Sequence, residues 1–577
     1  MLVTSQSESV PDMKRGEGSL SADRYWMSLA AATAVVLLVA AIRWSLAHPF
    51  GIHWDESGYL NEALIDAQRL RGGILLKLAG RLVLKAFGRP PAYRFIADPL
   101  LACFGPSTTI ARLASLTCWG LTGWYVFRCV RLLASRAAAA IAVLILILSP
   151  EIVAASIFLG TDTPLYLATA AMLYYLLRSC NEPLKESSAW FGLGLALTLG
   201  LLSKTSFFVI GPPALLLWFV SSKGRRAIWQ YPLFPVKVAA VPLILAAPWW
   251  VVNMRGALEY GKYARGFVRN SLGPPSPTTW LRWLNSVWQC LLGHGVTLFL
   301  GIVLIAFLIE LCSHQNAGNA WSPRQRIGLA LCGCAGIPIV LTQLTGTNHL
   351  LRHISPAMVP LAISVAVFTD KTLVSRSGLW SSVASLPIIL QLGMIVYPVI
   401  RPNTTAVDVG FVNGNLPWRA MARFEQWDWK PVWLISKGCN ITSSRIAYLG
   451  GGREFNPQAI EYSWARAAYT TRLSNFAFAE VTWLWRYEDG PIDWKQIMSV
   501  TDNQDIVITA PGYAGDGSPG DNLDNQYNTE FANRFSGDPR FQSPIQLELG
   551  RFEPVRVEVF VSRSLACSPE ALVPHLP

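Results

Sequence analysis

Residues 26–46 read WMSLAAATAVVLLVAAIRWSL, and the thirteen that follow, 47–59, read AHPFGIHWDESGY. At about 1.5 Å per residue, the first stretch is long enough to cross about 30 Å of bilayer hydrocarbon as a helix. Its only charge is Arg43. Lys14, Arg15 and Arg24 come before it, and no small-residue cleavage site follows before the chain turns aromatic and acidic. This predicts an uncleaved anchor behind a cytoplasmic tail of residues 1–25, not a signal peptide.

Similar runs recur near 108–126, 137–157, 163–178, 189–202, 206–220, 236–252, 287–311, 327–343, 353–369 and 379–400. They make about eleven spans and predict a polytopic α-helical membrane protein over residues 26–401. Over all 577 residues the chain is 52% hydrophobic and only 15% charged. With the apolar residues gathered into runs, that composition excludes a soluble enzyme. The 10 Cys among 23 Trp and 25 Phe exclude a secreted disulfide scaffold.

Placing the N-terminus in the cytoplasm puts the even loops inside, with Arg128, Arg131 and Arg136; Arg178 and Lys185; Lys223, Arg225 and Arg226; Arg324 and Arg326; Lys371 and Arg376. That is the positive-inside bias, and it leaves residues 47–107 and everything after 401 outside. Residues 402–577 hold 15 Lys and Arg against 20 Asp and Glu, leaving 33 against 16 before them, so the two parts carry −5 and +17. The positive part suits loops beside anionic lipid, and no basic run with interleaved aromatics suggests nucleic acid. One outside loop breaks the bias: Arg69, Arg71, Lys77, Arg81, Lys85, Arg89 and Arg94 all lie in 69–94 and call for an anionic partner.

Within 47–107, Glu56–Leu70 and Ile74–Phe87 show helical periodicity. Ile74, Leu75, Leu78, Leu82 and Phe87 oppose Lys77, Arg81 and Lys85. The pattern fits an amphipathic helix in the membrane interface, and equally a helix packed on its neighbours. Residues 402–577 read as a soluble α/β domain on the outer face. Arg445–Leu449 is a strand, and Gly450-Gly451-Gly452 is a tight turn into a helix capped by Asn456 with Pro457 in its first turn. Asp505–Ala510 is another strand, and Pro544–Leu549 with Val555–Val561 should close an antiparallel pair. Cys439 and Cys567 could form one bridge in an oxidising compartment.

Two acidic helix starts are the candidates for chemistry. In His53-Trp54-Asp55-Glu56-Ser57-Gly58-Tyr59, Asp55 suits a helix N-cap, and so does Asp162 in Gly160-Thr161-Asp162-Thr163-Pro164. Together they put carboxylates beside a basic loop on one side of the membrane. That combination also serves transfer from a phosphate-linked donor, which needs a base for an acceptor hydroxyl and cations for the leaving phosphate. The seven His are scattered and predict no metal site. A divalent ion at Glu56 and His53 is the one metal reading left open.

Asp55-Glu56-x-x-Tyr59, Gly88-Arg89-Pro90-Pro91, Phe104-Gly105, Ala111-Arg112-Leu113-Ala114-Ser115, Ser149-Pro150, Thr161-Asp162-x-Pro164-Leu165 and Gly200-Leu201-Leu202-Ser203-Lys204-Thr205 follow one another in an order that resembles glycosyltransferase family 39. That family includes protein O-mannosyltransferases and the aminoarabinose transferases of lipid A. A fainter likeness recurs at Leu351-Arg352-His353-Ile354-Ser355-Pro356-Ala357. The resemblance covers about residues 26–250. It implies a GT-C fold and an inverting transfer of sugar from a polyprenyl phosphate to an acceptor hydroxyl on the outer face. It further implies Asp55 as general base and Asp162 as a second carboxylate ordering the site. Arg89 stands where the family usually has Lys, at a position associated with the donor phosphate, and a snorkelling interfacial role remains open to it. Lys204 and Arg352 are further phosphate ligands under this reading. Tyr59 contacts substrate or braces Asp55; Glu56 orients Asp55 or faces solvent.

The expected partners are the bilayer, a polyprenyl-phosphate sugar, and a lipid, glycan or protein acceptor, in what reads as a bacterial inner membrane. No nucleotide cofactor is called for. A secondary transporter or flippase is the rival, but transporters typically place ionisable or broken segments near the bilayer midplane, whereas these acids lie in outer loops. A binding module acting through 402–577 would leave both carboxylate turns unexplained.

Overall fold

The first apolar run lies in α1 (Glu17–Ala47). Trp26, Leu37 and Trp44 on one stripe are buried, while Val35 and Val39 are 60% exposed on the other. A helix with one covered and one bare apolar face is what a span at the edge of a bundle needs. The computed structural model describes residues 17–49, 54–84, 89–181, 188–272, 277–312, 321–345, 351–372, 378–400, 427–439, 444–452, 455–470, 479–486, 489–515, 519–550 and 554–568. His53, Lys85, Phe87, Gly88, Lys185 and Arg376 lie outside these residues.

Three short helices follow α1: α2 (Trp54–Arg71), α3 (Leu75–Leu84) and α4 (Ala92–Phe104). The bundle continues with α5 (Thr108–Arg131), α6 (Arg136–Ile147), α7 (Pro150–Ser156), α8 (Asp162–Asn181), α9 (Ser188–Ser203) and α10 (Phe207–Val220). After these come α11 (Ser222–Gln230), α12 (Phe234–Leu245), α13 (Ala247–Leu272), α14 (Pro277–Ser286), α15 (His294–Cys312) and α16 (Pro323–Thr345). The last of the bundle are α17 (Leu351–Ile354), α18 (Met358–Thr372) and α19 (Gly378–Ile400). The centre is α6, whose Ala137–Ala142 are at most 1% exposed. Such small side chains let α1, α5 and α18 all pack closely against it.

Every apolar run is helical, but the expected eleven crossings are not recovered as eleven long helices. Among the described residues three helices, Ser21–Ala47, Pro323–Leu344 and Leu351–Thr372, are long and apolar enough to cross a membrane, and four bent pairs bring the number to as many as seven. The difference has local causes. The α6–α7 pair bends by 72° at the Ser149-Pro150 step, where proline has no N–H for the preceding turn. Another pair bends by 92° at Gly293, whose φ of +76° a residue with a Cβ rarely adopts.

Toward the C-terminus, β1 (Ser444–Leu449), β2 (Ala479–Trp483), β3 (Ile506–Thr509), β4 (Ile545–Leu549) and β5 (Val555–Val561) form one sheet in the order β2-β1-β3-β5-β4. The first three strands are parallel, and β5 runs antiparallel to both β3 and β4. One face buries Trp427, Trp429, Tyr448 and Phe455, the other Val507, Phe531, Phe535 and Phe560. After β1 the chain turns through Gly450, φ +135°, where a Cβ would meet the Phe455 ring at 2.4 Å. Asn525 holds the turn by accepting from Gly451 N at 3.2 Å and donating to Gly451 O at 2.5 Å. Cys439, just past α20 (Lys430–Gly438), is disulfide-bonded to Cys567.

The helix after the turn, α21 (Pro457–Thr470), is capped by Asn456, whose Oδ1 accepts from Ala459 N at 2.8 Å. It lies along α2 in the same direction. Asn61 Nδ2 donates to Glu461 Oε2 at 3.1 Å, and Arg71 Nη1 donates to the Tyr469 hydroxyl at 2.8 Å. Tyr462 shares a 2.7 Å hydroxyl bond with Thr108 at the head of α5. Burial in this seam pushes the Glu461 carboxyl up to about 7.

Two expectations follow from these contacts. Cys439→Ser and Cys567→Ser should lower the unfolding temperature equally, and the double variant no further, since each opens the same 128-residue separation; losing such a bridge costs about 2–4 kcal/mol. Free thiols on the unreduced folded protein would contradict this. Glu461 is an acid whose carboxyl is raised in the folded protein, so its docked form is favoured below the ordinary carboxylate range near about 4.3. That advantage is lost progressively as pH rises through about 7. Thermal melts between pH 5 and 8 should show a fall in stability that Glu461→Gln largely removes.

Candidate active site

Asp55 and Glu56 open α2, where the helix dipole favours both charges. Successive helical residues point about 100° apart, so the two carboxylates leave the helix in different directions. Glu56 turns inward and is 0% exposed. Arg112 of α5 grips it twice, Nε to Oε1 at 2.9 Å and Nη2 to Oε2 at 2.8 Å. Leu159 N, in the turn before α8, donates to Oε1 at 2.9 Å. Arg112 also donates to His48 O at 2.6 Å and lies over the Trp44 ring at 5.0 Å. One buried pair thus ties α1, α2, α5 and the approach to α8 together.

Asp55 turns the other way and keeps 14% of its side chain exposed. Arg89 Nη2 donates to Oδ1 at 3.2 Å, and Arg352 Nη1, from α17, donates to Oδ2 at 2.7 Å. Tyr59 lies one turn along α2 with its ring under the Arg89 guanidinium at 5.2 Å and against Tyr93 at 4.6 Å. Asp162 heads α8 and accepts from Lys204 Nζ at 2.6 Å. Arg352 is within electrostatic reach of both Asp55 and Asp162, which makes the two clusters one site. Its segment is held to α8 by a 2.6 Å bond between the Tyr166 and Ser355 hydroxyls.

Of the seven residues singled out by sequence, Asp55, Asp162, Arg89, Lys204 and Arg352 converge, and Tyr59 braces Arg89 from below. Glu56 is the correction. It neither faces solvent nor offers an oxygen to a substrate, because Arg112 and Leu159 N take both oxygens in a sealed interior. His53, the other residue of the divalent-ion reading, lies outside the described residues. Sequence reasoning missed Glu151 on α7, within electrostatic reach of Asp162, Lys204 and Arg352. Its only sequence signal is an acid beside Pro150 inside an apolar run.

The basic loop finds much of its anionic partner within the chain. Arg94 donates to Asp66 through Nε at 2.6 Å and through Nη2, and Arg81 Nε lies 3.2 Å from the same carboxylate. Arg94 Nη1 also lies 3.8 Å from Glu62. Arg81 is therefore paired inside the protein at 13% exposure and does not serve as the solvated face of α3.

Removing one partner of a buried ion pair strands the other charge, at a cost of about 3–5 kcal/mol, whereas replacing both with apolar groups of similar volume is often neutral. Arg112→Ala should therefore lower the unfolding temperature in detergent sharply. The double variant Glu56→Leu with Arg112→Met should lose clearly less than Arg112→Ala alone. A double variant as unstable as the single would show that the pair's geometry, and not its charge balance, sets the stability.

Residues 88–252 match the family model described as dolichyl-phosphate-mannose-protein mannosyltransferase. A lipopolysaccharide core galacturonosyltransferase, RgtA of Rhizobium johnstonii, is 24% identical over 285 residues, 48% of this chain and 54% of that protein. The chain thus spans about half the length of the curated relative it matches. ArnT from Cupriavidus metallidurans, in a crystal structure bound to undecaprenyl phosphate, superposes with a TM-score of 0.53 at 15% identity, covering 94% of this chain and 99% of that one. The apo crystal structure of the same ArnT gives 0.52 at 15% identity over 95% and 100%. The family model and the relative agree with the resemblance to membrane glycosyltransferases read from the motifs, and the superposition shows that the chain shares the fold of ArnT.

Proposed function

We propose that the chain is an inverting glycosyltransferase that moves a sugar from a polyprenyl-phosphate donor, undecaprenyl or dolichyl, to an acceptor hydroxyl on the outer face of the membrane. The observation that carries the reading is the clamp on Asp55: two guanidiniums from segments far apart in sequence meet on one carboxylate at a helix N-terminus, with Asp162 and Lys204 alongside. Arg89 and Arg352 suit a donor phosphate, since a guanidinium pairs with phosphate oxygens in the same forked geometry as with a carboxylate. An arriving phosphate takes the two guanidiniums and leaves the Asp55 oxygens to an acceptor hydroxyl.

The acceptor oxygen then attacks the anomeric carbon from the side opposite the phosphate. As the new C–O bond forms, the hydroxyl proton passes to Asp55. The bond from the anomeric carbon to the phosphate oxygen breaks, and its electron pair leaves with the phosphate, whose growing charge Arg89, Arg352 and Lys204 stabilise. Asp162 holds Lys204 in place. The topology that goes with this chemistry has a cytoplasmic tail over 1–25, the transmembrane domain over 26–401 and an extracytoplasmic domain over 402–577, in a bacterial inner membrane. The rival transporter reading has no support from the sequence matches, both of which are described as transferases.

Asp55→Asn keeps the size and the hydrogen-bonding oxygen of the side chain in the first turn of α2 but accepts no proton. The variant should fold and bind donor while losing roughly 10²–10⁴-fold in turnover; turnover near wild type would sink the assignment. At Arg89, Ala should weaken binding of undecaprenyl phosphate far more than Lys, because a phosphate contact needs charge before fork geometry. Equal binding by Arg89→Ala and wild type would leave Arg89 only a structural partner of Asp55.

A further inference from the structure

The start of α21 sits beside the start of α2, so a residue of the sheet-bearing part of the chain reaches the Asp55 site. Gly58 marks the place. A Cβ there would lie 3.3 Å from Gln458 Cγ and 3.5 Å from Arg89 Nη1. The Gln458 stem and the guanidinium on Asp55 therefore flank the same glycine. Gln458 is not needed to cap its own helix, because Asn456 does that. Its Oε1 is buried and has no hydrogen-bond partner among the described residues.

A buried amide oxygen without a donor is unfavourable, and its retention at a site rim points to a donor supplied by a ligand. Phosphate and carboxylate oxygens have no proton to give it, whereas sugar hydroxyls do. A hydroxyl of the transferred sugar stands within a few ångströms of the phosphate that Arg89 would hold. Resting on the glycosyltransferase reading above, we infer that Gln458 is a positioning and specificity residue of the transfer site, accepting a hydrogen bond from a hydroxyl of the donor's sugar. The C-terminal part of the chain thereby reads the sugar, while the helical bundle holds the phosphate and the base.

The test compares two probes on the purified full-length chain in lipid nanodiscs. One is undecaprenyl phosphate. The other is undecaprenyl phosphate carrying glucose, mannose or galacturonic acid, whichever wild type binds most tightly. Gln458→Met keeps the stem packed over Gly58 and removes the amide, and Gln458→Ala removes both. Loss of one hydrogen bond predicts about 3–10-fold weaker binding of the sugar-bearing probe by each variant, with binding of bare undecaprenyl phosphate unchanged. Equal weakening of both probes would assign the amide to the phosphate or to the scaffold and overturn the inference, as would no weakening of either. A wild type that binds the bare lipid but gains nothing from any of the three sugars overturns this inference and leaves the phosphate site standing. A wild type that binds neither probe overturns both readings.

Discussion

The site depends on the buried pair of Glu56 and Arg112. Taking both charges out of water costs several kcal/mol per ion, which is recovered only if every polar atom is met. Here the carboxylate receives two guanidinium bonds and a backbone N–H, and the guanidinium also donates to a carbonyl. A pair bonded from this many sides favours one arrangement, and that arrangement fixes α2 against α5 and against the turn that leads into α8. Asp55 is the neighbouring residue, so its position is set by a bond it does not make. Because Leu159 lies three residues before Asp162, the same pair also sets the spacing between the two carboxylate-bearing helix starts.

α2 extends this principle along its length. Its four carboxylates, Asp55, Glu56, Glu62 and Asp66, each meet arginines from other segments: Arg89 and Arg352, Arg112, Arg94, and Arg94 with Arg81. A charged loop on the outer side of a membrane would otherwise be pulled toward lipid headgroups. Pairing within the chain takes Arg81, Arg89 and Arg94 out of that competition. Arg89 and Arg352 differ from Arg94 and Arg112 because the guanidiniums themselves are partly exposed, at 19% and 38% against 1% and 0%.

The helical runs were legible from hydrophobicity alone, since a bilayer imposes a minimum apolar length on any helix that crosses it. The starts of α2 and α8 were legible from the acids Asp55 and Asp162 in their first turns, that of α21 from its cap Asn456, and the β4–β5 pair from alternation in residues 545–549 and 555–559. What escaped depends on distance or on a single backbone angle. The partnership of Glu56 with Arg112 spans 56 residues and that of Asp55 with Arg352 spans 297, and no local pattern encodes either. The bend at Gly293 is one dihedral. β2, Ala479–Trp483, was missed because a short parallel strand half-buried along its length shows no clean period. Side-chain direction at a helix start is also invisible in sequence, so Glu56 and Asp55 could not be told apart by type.

The sheet meets the bundle in a way that follows from its topology. In a parallel βαβ arrangement the turns at the carboxyl ends of the strands collect on one edge, and ligands bind there. β1 ends at Leu449, passes through Gly450–Gly452 and enters α21 directly over Gly58, so that edge is turned toward the Asp55 site. The register of α21 along α2, held by Asn61 with Glu461 and Arg71 with Tyr469, then decides which residue of the edge reaches the arginine clamp. A slip of one helical turn, about 5.4 Å, would carry Gln458 away from Arg89 and break both seam contacts. The contacts that dock the C-terminal part of the chain therefore also set where Gln458 stands beside Gly58.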